Sequence, residues 1–297
     1  MKMTVLMDNT TIIDTPFLGE SGLSFLIETD DAKILFDTGV SPLFLSNARK
    51  MGINLTDLTG VCISHGHYDH TNGLPALGKL LKQNRKRIPI MLHPACLQKK
   101  WWRNKDGILE EIGMPCNREN LEELFDIICT ETPKMLGANL YLLGSIPRND
   151  LAANEPIGLV ANGQKSVNLN TVQDGDTAFA PDYAPDYSPD YVVDDTAMVF
   201  DGKEGLVVIN GCAHSGLVNI LAYVTELFPG KPVTAVIGGF HMLNKDQAWL
   251  EDMSQKVKAY DPKRVYPCHC TDEASRAYLR KNFSVGMIGV GSVLLFE

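Results

Sequence analysis

The densest group of potential metal ligands in the sequence is the segment Ser64-His65-Gly66-His67-Tyr68-Asp69-His70, which holds three of the seven histidines. It directly follows the short apolar run 61–64, which is predicted to be a buried strand. Imidazole and carboxylate groups at this spacing are typical ligands of a divalent metal, whereas packing gives no reason for such a cluster. His65 and His67 can point to one side of an extended segment, and the following turn can direct Asp69 and His70 to a second centre. The segment therefore predicts a metal site.

Three further histidines come just after predicted strands. His214 follows the strand 205–209, His241 follows 233–237, and His269 follows 264–266. Layered α/β folds gather their ligand-binding loops at the carboxyl ends of strands, so these side chains are expected to lie close together. Four donors from one loop cannot complete the shells of two metals, and further ligands must come from such positions. Alternatively, His214 is the first residue of a helix and His241 a structural residue.

Other polar and aromatic residues have less specific signals. His93 is typical of a core histidine, and Trp101 and Trp102 favour packing over a substrate platform. The Asp194–Asp195 pair is compatible with a simple charge pair before a strand. Cys268 and Cys270 flank His269 and could bind metal, but they are expected to pack as small apolar groups pointing away from it.

Alternating strands and helices at both ends of the chain must position these loops. The first third predicts strands over 2–7, 24–28, 33–36, 61–64 and 88–92, and helices over 42–51 and 73–83. The last third predicts strands over 197–200, 205–209, 233–237 and 264–266, and helices over 217–227 and 246–260. Residues 94–135 look mixed and mostly helical. Two such halves, with sheets inside and helices outside, indicate a layered α/β sandwich.

The stretch from 146 to 191 is irregular and rich in Pro, Gly, Asn and Asp, and it contains a triple Pro-Asp-Tyr repeat over 180–191. Proline prevents a continuous helix, so the repeat is expected to be extended or turned, either as a solvated surface loop or as a flap. No clean linker interrupts the chain. We therefore expect one domain over residues 1–297 with an irregular insertion around 146–191.

Composition argues against several classes of partner. The formal net charge of −9 disfavours nucleic acid and anionic membranes, which select basic surfaces. The longest apolar stretch, 285–296, contains three glycines and is too short to span a bilayer. The N-terminus lacks the apolar run of a signal peptide, and seven cysteines are an odd number. A cytoplasmic protein with reduced cysteines is expected.

The histidine-rich segment resembles the H-x-H-x-D-H signature of the metallo-β-lactamase fold superfamily, and Leu35-Phe36-Asp37-Thr38-Gly39 is similar to the first motif of that family. The runs Gly211-Cys212-Ala213-His214, Gly238-Gly239-Phe240-His241 and Cys268-His269-Cys270-Thr271 are similar to a subgroup named for 7,8-dihydropterin-6-methyl-4-(β-D-ribofuranosyl)aminobenzene 5'-phosphate synthase. The resemblance implies an α/β fold of four layers, an αββα sandwich. It also implies a catalytic site for divalent metal.

The resemblance implies a ligand set, carried over position by position. His65 and His67 would hold one metal, and Asp69, His70 and His269 the second. The family also supplies another histidine to the first metal and a carboxylate that bridges the two, but here Cys212 and His214 follow the strand 205–209. We assign His214 to metal, and Asp195 becomes a candidate for the missing carboxylate or for an outer partner. Asp37 would orient the histidine-rich loop from outside the ligand shell.

Two divalent ions of this kind can activate a hydroxide and polarise a carbonyl or phosphoryl oxygen, which favours hydrolysis. The main expectation is a dinuclear hydrolase of a small phosphorylated or ester-bearing metabolite, with His241 and Asp69 as candidate catalytic residues and His241 facing the substrate. Zinc is the first choice for the metal, and iron and manganese stay open. The alternatives are a synthase that joins a pterin to an aminobenzene ribosyl phosphate, and a non-catalytic sensor. A small-molecule partner is expected, and a homo-oligomer stays open.

Overall fold

The computed structural model describes residues 1–150, 155–161 and 187–297. Its first half contains ten strands and four helices, in chain order β1 (Lys2–Met7), β2 (Ser24–Glu28), β3 (Lys33–Phe36), α1 (Leu43–Lys50), β4 (Gly60–Cys62), α2 (Tyr68–Thr71), α3 (Leu74–Gln83), β5 (Pro89–Leu92), β6 (Lys100–Arg103), β7 (Leu109–Glu111), α4 (Arg118–Glu122), β8 (Asp126–Cys129), β9 (Lys134–Gly137) and β10 (Leu140–Leu142). A 3₁₀ turn covers Pro94–Leu97.

The second half of the chain completes the strands and the outer helices. In chain order it contains β11 (Gly158–Ala161), β12 (Tyr187–Asp190), β13 (Ala197–Gly202), β14 (Gly205–Asn210), α5 (Leu217–Leu227), β15 (Val233–Gly239), α6 (Gln247–Lys258), β16 (Arg264–Cys268), α7 (Glu273–Asn282) and β17 (Val293–Leu295). No helix among the described residues is both long and apolar enough to cross a bilayer.

Two large sheets form the centre of the molecule. One has the strand order β17-β1-β2-β3-β4-β5-β8, and the other has the order β16-β15-β14-β13-β10-β9. In the first sheet β3, β4, β5 and β8 run parallel, and in the second β14, β15 and β16 do. Loops that follow neighbouring parallel strands leave the sheet at the same edge, which brings distant parts of the chain together.

The core clusters follow the layers. One cluster joins the inner faces of the two sheets, with Phe25 and Phe36 of the first sheet in the same cluster as Ile209 and Ile237 of the second. A second cluster packs α1, α3 and α4 on the outer face of the first sheet, and a third packs α5, α6 and α7 on the outer face of the second. The predicted four-layer αββα sandwich is confirmed.

The prediction that residues 94–135 are mostly helical is wrong, because short strands outnumber helices there and irregular segments connect them. The segment supplies β6, β7 and β8, and its one α-helix covers only Arg118–Glu122. Strands β6 and β7 join β11 and β12 in a separate sheet of order β12-β11-β6-β7. The aromatic pair Trp101-Trp102 fits a half-buried sheet surface, since Trp101 is buried and Trp102 exposed.

The irregular insertion around 146–191 is described only in part. Residues 151–154 and 162–186 lie outside the described residues, and with them most of the Pro-Asp-Tyr repeat. The last part of the repeat, Tyr187–Asp190, forms β12 at the edge of its sheet. Pro189 has no backbone N–H to donate, and an edge strand tolerates this because one of its sides has no neighbouring strand. The single domain over 1–297 stays a prediction.

Candidate metal centre

The histidine-rich loop begins where β4 ends and closes with the single-turn helix α2. His65 and His67 precede this helix, His67 in extended backbone, and Asp69 and His70 lie within it. Gly66 passes so close to the 3₁₀ turn that a Cβ there would lie 2.5 Å from the carbonyl oxygen of Cys96. The loop thus needs glycine at this position, and the change from extended to helical backbone directs its ligands to two sides.

Asp37, at the end of β3, orients this loop from a fully buried position. Its Oδ1 accepts a hydrogen bond from the backbone N of Ser64 at 2.7 Å, and its Oδ2 accepts one from Ser64 Oγ at 2.7 Å. The same Oδ2 lies 2.7 Å from His70 Nδ1, which leaves His70 Nε2 directed toward the ligand cluster. Burial lowers the pKa of His70, but Asp69 and Asp37 outweigh it and raise that pKa to about 9.

One group of possible ligand atoms comprises His65, His67 and His214, whose donor atoms all lie within 4.8 Å of one another. His214 stands on the loop after β14, 147 positions beyond His67 in the chain. Nε2 of His65 and both ring nitrogens of His214 are buried without a hydrogen-bond partner among the described residues. Burial, together with neighbouring histidines, holds the pKa of His65 and of His214 well below the ordinary value. Neutral imidazoles with unused nitrogens are what a metal ion requires.

A second group comprises Asp69, His70 and His269, also within 4.8 Å of one another. Asp69 Oδ2 lies 3.2 Å from His269 Nε2 and 3.7 Å from His70 Nε2. Burial raises the pKa of Asp69, but His70 and His269 outweigh it and hold that pKa well below the ordinary value, so the carboxylate is ionised. The loop after β1 fixes the ring of His269 through Asn9, whose Oδ1 lies 2.8 Å from the Nδ1 of His269.

Two cysteines join the cluster, and their roles were missed or misjudged from the sequence. Cys212 Sγ lies 3.2 Å from His70 Nε2, and Cys212 and Cys270 share a donor group with His269. The expectation that Cys270 points away from the ligands is wrong: its Sγ faces the same space and accepts a hydrogen bond from the backbone N of His241. Cys268 instead packs in the core between the sheets. The alternation of side chains along an extended strand does not predict the direction of Cys270, because the backbone reverses at His269, where φ is +48°.

Asp195 lies outside all the donor groups formed by the described residues. Its Oδ2 accepts hydrogen bonds from the backbone N of Ser215 at 2.8 Å and from Ser215 Oγ at 2.5 Å. The carboxylate therefore fixes the loop residue next to His214, and its Oδ1 is buried without a hydrogen-bond partner among the described residues. His241 approaches the first group from the loop after β15, with its ring centroid 4.3 Å from that of His214.

A buried ion-pair network supports the histidine-rich loop and was not predicted. Lys100 Nζ donates to Asp190 Oδ2 and to Asp194 Oδ1, each at 2.8 Å. Asp194 Oδ2 in turn accepts a hydrogen bond from the backbone N of Gly66 at 2.7 Å, and Asp190 lies 3.9 Å from His67 Nε2. The third sheet thereby anchors the loop that carries the ligands. A lysine directly before two tryptophans was the only sequence signal.

The ligand groups open into a cleft of about 610 Å³. The cleft is lined by both cysteines of the cluster and by His67, Asp69, His214, His241 and His269. Its sides include Tyr68 and Trp102, which are 39% and 45% exposed, and Leu243. His93 lies apart from the donor groups and contacts Ser145 Oγ at 3.1 Å. The arrangement can present divalent metal to a small molecule with a flat apolar part.

Comparisons with known proteins agree with this architecture. The sequence model of the metallo-beta-lactamase superfamily matches residues 18–96. A curated relative from Methanocaldococcus jannaschii, 7,8-dihydropterin-6-methyl-4-(beta-D-ribofuranosyl)-aminobenzene-5'-phosphate synthase, is 26% identical over 277 residues, which cover 91% of this chain and 87% of the relative. The predicted resemblance to this superfamily and to its synthase subgroup is confirmed.

Two solved structures resemble the whole chain. One, described as a metal-dependent hydrolase of the beta-lactamase superfamily, is 28% identical, with a TM-score of 0.77 over 99% of this chain and 98% of its own. The metallo-beta-lactamase fold protein YhfI from Bacillus subtilis has a TM-score of 0.57 over 99% of this chain and 98% of its own, and at 14% identity it shows the fold alone.

The sequence-based prediction of a hydrolase is wrong as the main function. The curated relative that matches 91% of this chain is a synthase, which agrees with the alternative that the sequence left open. What the superfamily supports is an enzyme that binds divalent metal.

Proposed function

The chain has the metallo-β-lactamase fold and the first motifs of that superfamily, and on this premise we propose that it is a metal-dependent synthase that joins a dihydropterin-methyl group to an aminobenzene ribosyl phosphate. The observation that carries the proposal is the extent of the match to the named synthase, which includes both the histidine-rich loop and the loops of the second half. A match confined to 18–96 would have supported only the superfamily.

The proposed cofactor is a pair of divalent ions, with zinc as the first choice and iron or manganese as alternatives. His65, His67 and His214 would hold one ion, and Asp69, His70 and His269 the other. The residues fit such ions because buried imidazole nitrogens of His65 and His214 have no other partner in the described part of the chain. When bound, divalent ions polarise a phosphoryl oxygen and so stabilise a departing phosphate.

The bond to be formed joins an aryl amine nitrogen to the methyl carbon of the pterin. The nitrogen lone pair attacks that carbon, an oxygen leaving group such as a phosphate departs with the bonding electrons, and the amine gives up one proton. His241 lines the cleft and stands beside His214, so we propose that it contacts the substrate and accepts this proton. Asp69 keeps its negative charge, and its Oδ2 lies 3.2 Å from His269 Nε2.

Aromatic side chains of the cleft suit a flat heterocycle. Trp102 is 45% exposed and lines the cleft, whereas its neighbour Trp101 is 5% exposed and packs against Tyr187, with ring centroids 5.3 Å apart. An exposed indole beside a ligand cluster offers a face on which a pterin ring can stack. We propose that Trp102 binds the pterin and that Trp101 only holds β6 in place.

The test incubates the metal-loaded protein with a dihydropterin-methyl phosphate ester and 4-(β-D-ribofuranosyl)aminobenzene 5'-phosphate. We expect a product whose mass is that of both substrates minus one phosphoric acid, that is, the leaving phosphate with the proton that the amine gives up. His241→Ala should depress turnover by at least about a hundredfold with unchanged metal content, the usual size of a lost general base. His93→Ala is the matched control and should keep both the turnover and the metal content of the wild-type protein. Absence of the joined product from fully metal-loaded protein would refute the proposal, and metal loss from His241→Ala would make that residue a ligand.

A further inference from the structure

Cys212 occupies the junction between the groups of ligand atoms. Its Sγ lies within 4.8 Å of the donor atoms of His65 and His70, of His214 and His241, and of His269 and Cys270. Of the five donor groups found among the described residues, Cys212 belongs to three, and every other member belongs to two or fewer. One side chain at this position can reach both metal positions.

The loop after β14 holds Cys212 there by close backbone contact. A Cβ on Gly211 would lie 2.1 Å from Ser64 Oγ, so the loop is pressed against the residue that Asp37 fixes. A Cβ on Gly239 would lie 2.6 Å from Cys270 Sγ, so the end of β15 packs closely against Cys270. Ala213, the next residue, has a left-handed backbone with φ +56°. Cys212 itself is 3% exposed.

No carboxylate in the described part of the chain stands at this junction. Among the donor groups of the described residues Asp69 is the only carboxylate, and it lies near His70 and His269. Asp195 Oδ2 accepts a hydrogen bond from Ser215 Oγ. The buried nitrogens of His65 and His214 in the first group, and Nε2 of His269 in the second, have no hydrogen-bond partner among the described residues, and all three residues share donor groups with Cys212, which indicates a cation in the space that Cys212 faces.

We infer that the Cys212 thiolate is a ligand shared by the two metal ions, in place of the bridging carboxylate that the family resemblance implies. The inference rests on the metal centre of the proposed function and is independent of its substrate. A sulfur ligand also narrows the choice of metal, because soft thiolates favour zinc, cobalt and iron and disfavour manganese and magnesium.

Cobalt substitution tests the inference, since a thiolate bound to Co²⁺ gives a charge-transfer absorption band in the near ultraviolet. The wild-type protein should bind two cobalt ions per chain and show this band. Cys212→Ser should lose the absorption band and at least one cobalt ion, whereas the matched variant Cys270→Ser should keep the band and both cobalt ions. Cys212→Asp should keep two ions without the band, because a carboxylate can replace the bridge.

Persistence of the band in Cys212→Ser, or its loss in Cys270→Ser alone, would overturn the inference, and loss of an ion from Cys212→Asp would argue against the shared position. X-ray absorption of the wild-type zinc protein needs no variant: a sulfur neighbour for every zinc ion supports the shared thiolate, and a shell of nitrogen and oxygen alone refutes it. These measurements use no substrate, so a failed synthase assay leaves them unaffected.

Discussion

Lys100 carries a buried charge on which the histidine-rich loop depends. Its side chain is 1% exposed, and its two partners Asp190 and Asp194 are 3% and 0% exposed. Both contacts measure 2.8 Å, and Asp194 uses its other oxygen for the backbone N of Gly66. Removing the ammonium group would leave two buried carboxylates without a cation between them.

Lys100→Met keeps the length of the aliphatic chain and removes the charge. Breaking a buried ion pair by deleting one partner costs about 3–5 kcal/mol, and we expect the free energy of unfolding to fall by that amount. The neighbouring Lys99 pairs with Glu111 at 2.9 Å but is 64% exposed, so Lys99→Met should cost less than about 1 kcal/mol. Urea denaturation in the presence of a chelator measures both, since bound metal would otherwise add its own stabilisation.

The effect should depend on pH in a defined direction. Burial raises the pKa of Asp190, but His67 and Lys100 outweigh it and lower that pKa to about 2. A carboxylate with a lowered folded pKa stabilises the protein above its unfolded pKa, and this stability is lost as the pH falls toward the folded value. Without Lys100 the buried carboxylates gain protons at higher pH. The deficit of Lys100→Met should therefore be largest at pH 7 and shrink toward about pH 4.

Two results would refute this reasoning. A Lys100→Met protein that is no less stable than Lys99→Met would show that the buried network contributes no net stability. A deficit that stays constant between neutral and acid pH would show that the loss comes from packing of the side chain and not from charge.

Three further predictions concern the ligands and their outer partners. Asp37→Asn should weaken metal binding about 10–100-fold, because the amide replaces the charged acceptor that orients the histidine-rich loop. Chelator competition measures the metal affinity, and an unchanged affinity would count against the orienting role of Asp37. His67→Ala and His269→Ala should each lose one metal ion by elemental analysis while His93→Ala keeps two; full metal content in both ligand variants would contradict the assignment. Metal binding should displace the proton of His70, so the apparent metal affinity should increase with pH up to about 9. Calorimetry in buffers of different ionisation enthalpy counts the released proton. A metal affinity that does not change with pH would argue against this displacement.

Much of the fold follows from local pattern. Strands β1, β2 and β3 begin and end where their apolar runs do, and Leu74, Leu77 and Leu81 of α3 are buried at the predicted helical spacing. The segment 94–135 was misjudged because its strands are short, and because β6 and β8 pair with strands distant in the chain in addition to the local pairing of β6 with β7. Strand β6 pairs with β11, and β8 pairs with β5. Such pairing leaves little trace in local periodicity.

The sequence by itself determined the alternation of strands and helices and the compact ligand segment 65–70, because both depend on residues close together in the chain. Only the tertiary structure decided that Cys212 and Cys270 belong to the donor groups, that Asp195 hydrogen-bonds to Ser215 outside these groups, and that Lys100 is buried. The physical reason lies in the loops. Asp37, Ala213, His241 and His269 have positive φ values between +48° and +61°, so the backbone reverses where each loop leaves its strand. A side chain's direction after such a turn is set by packing between segments well over a hundred residues apart, which spacing along the chain does not encode.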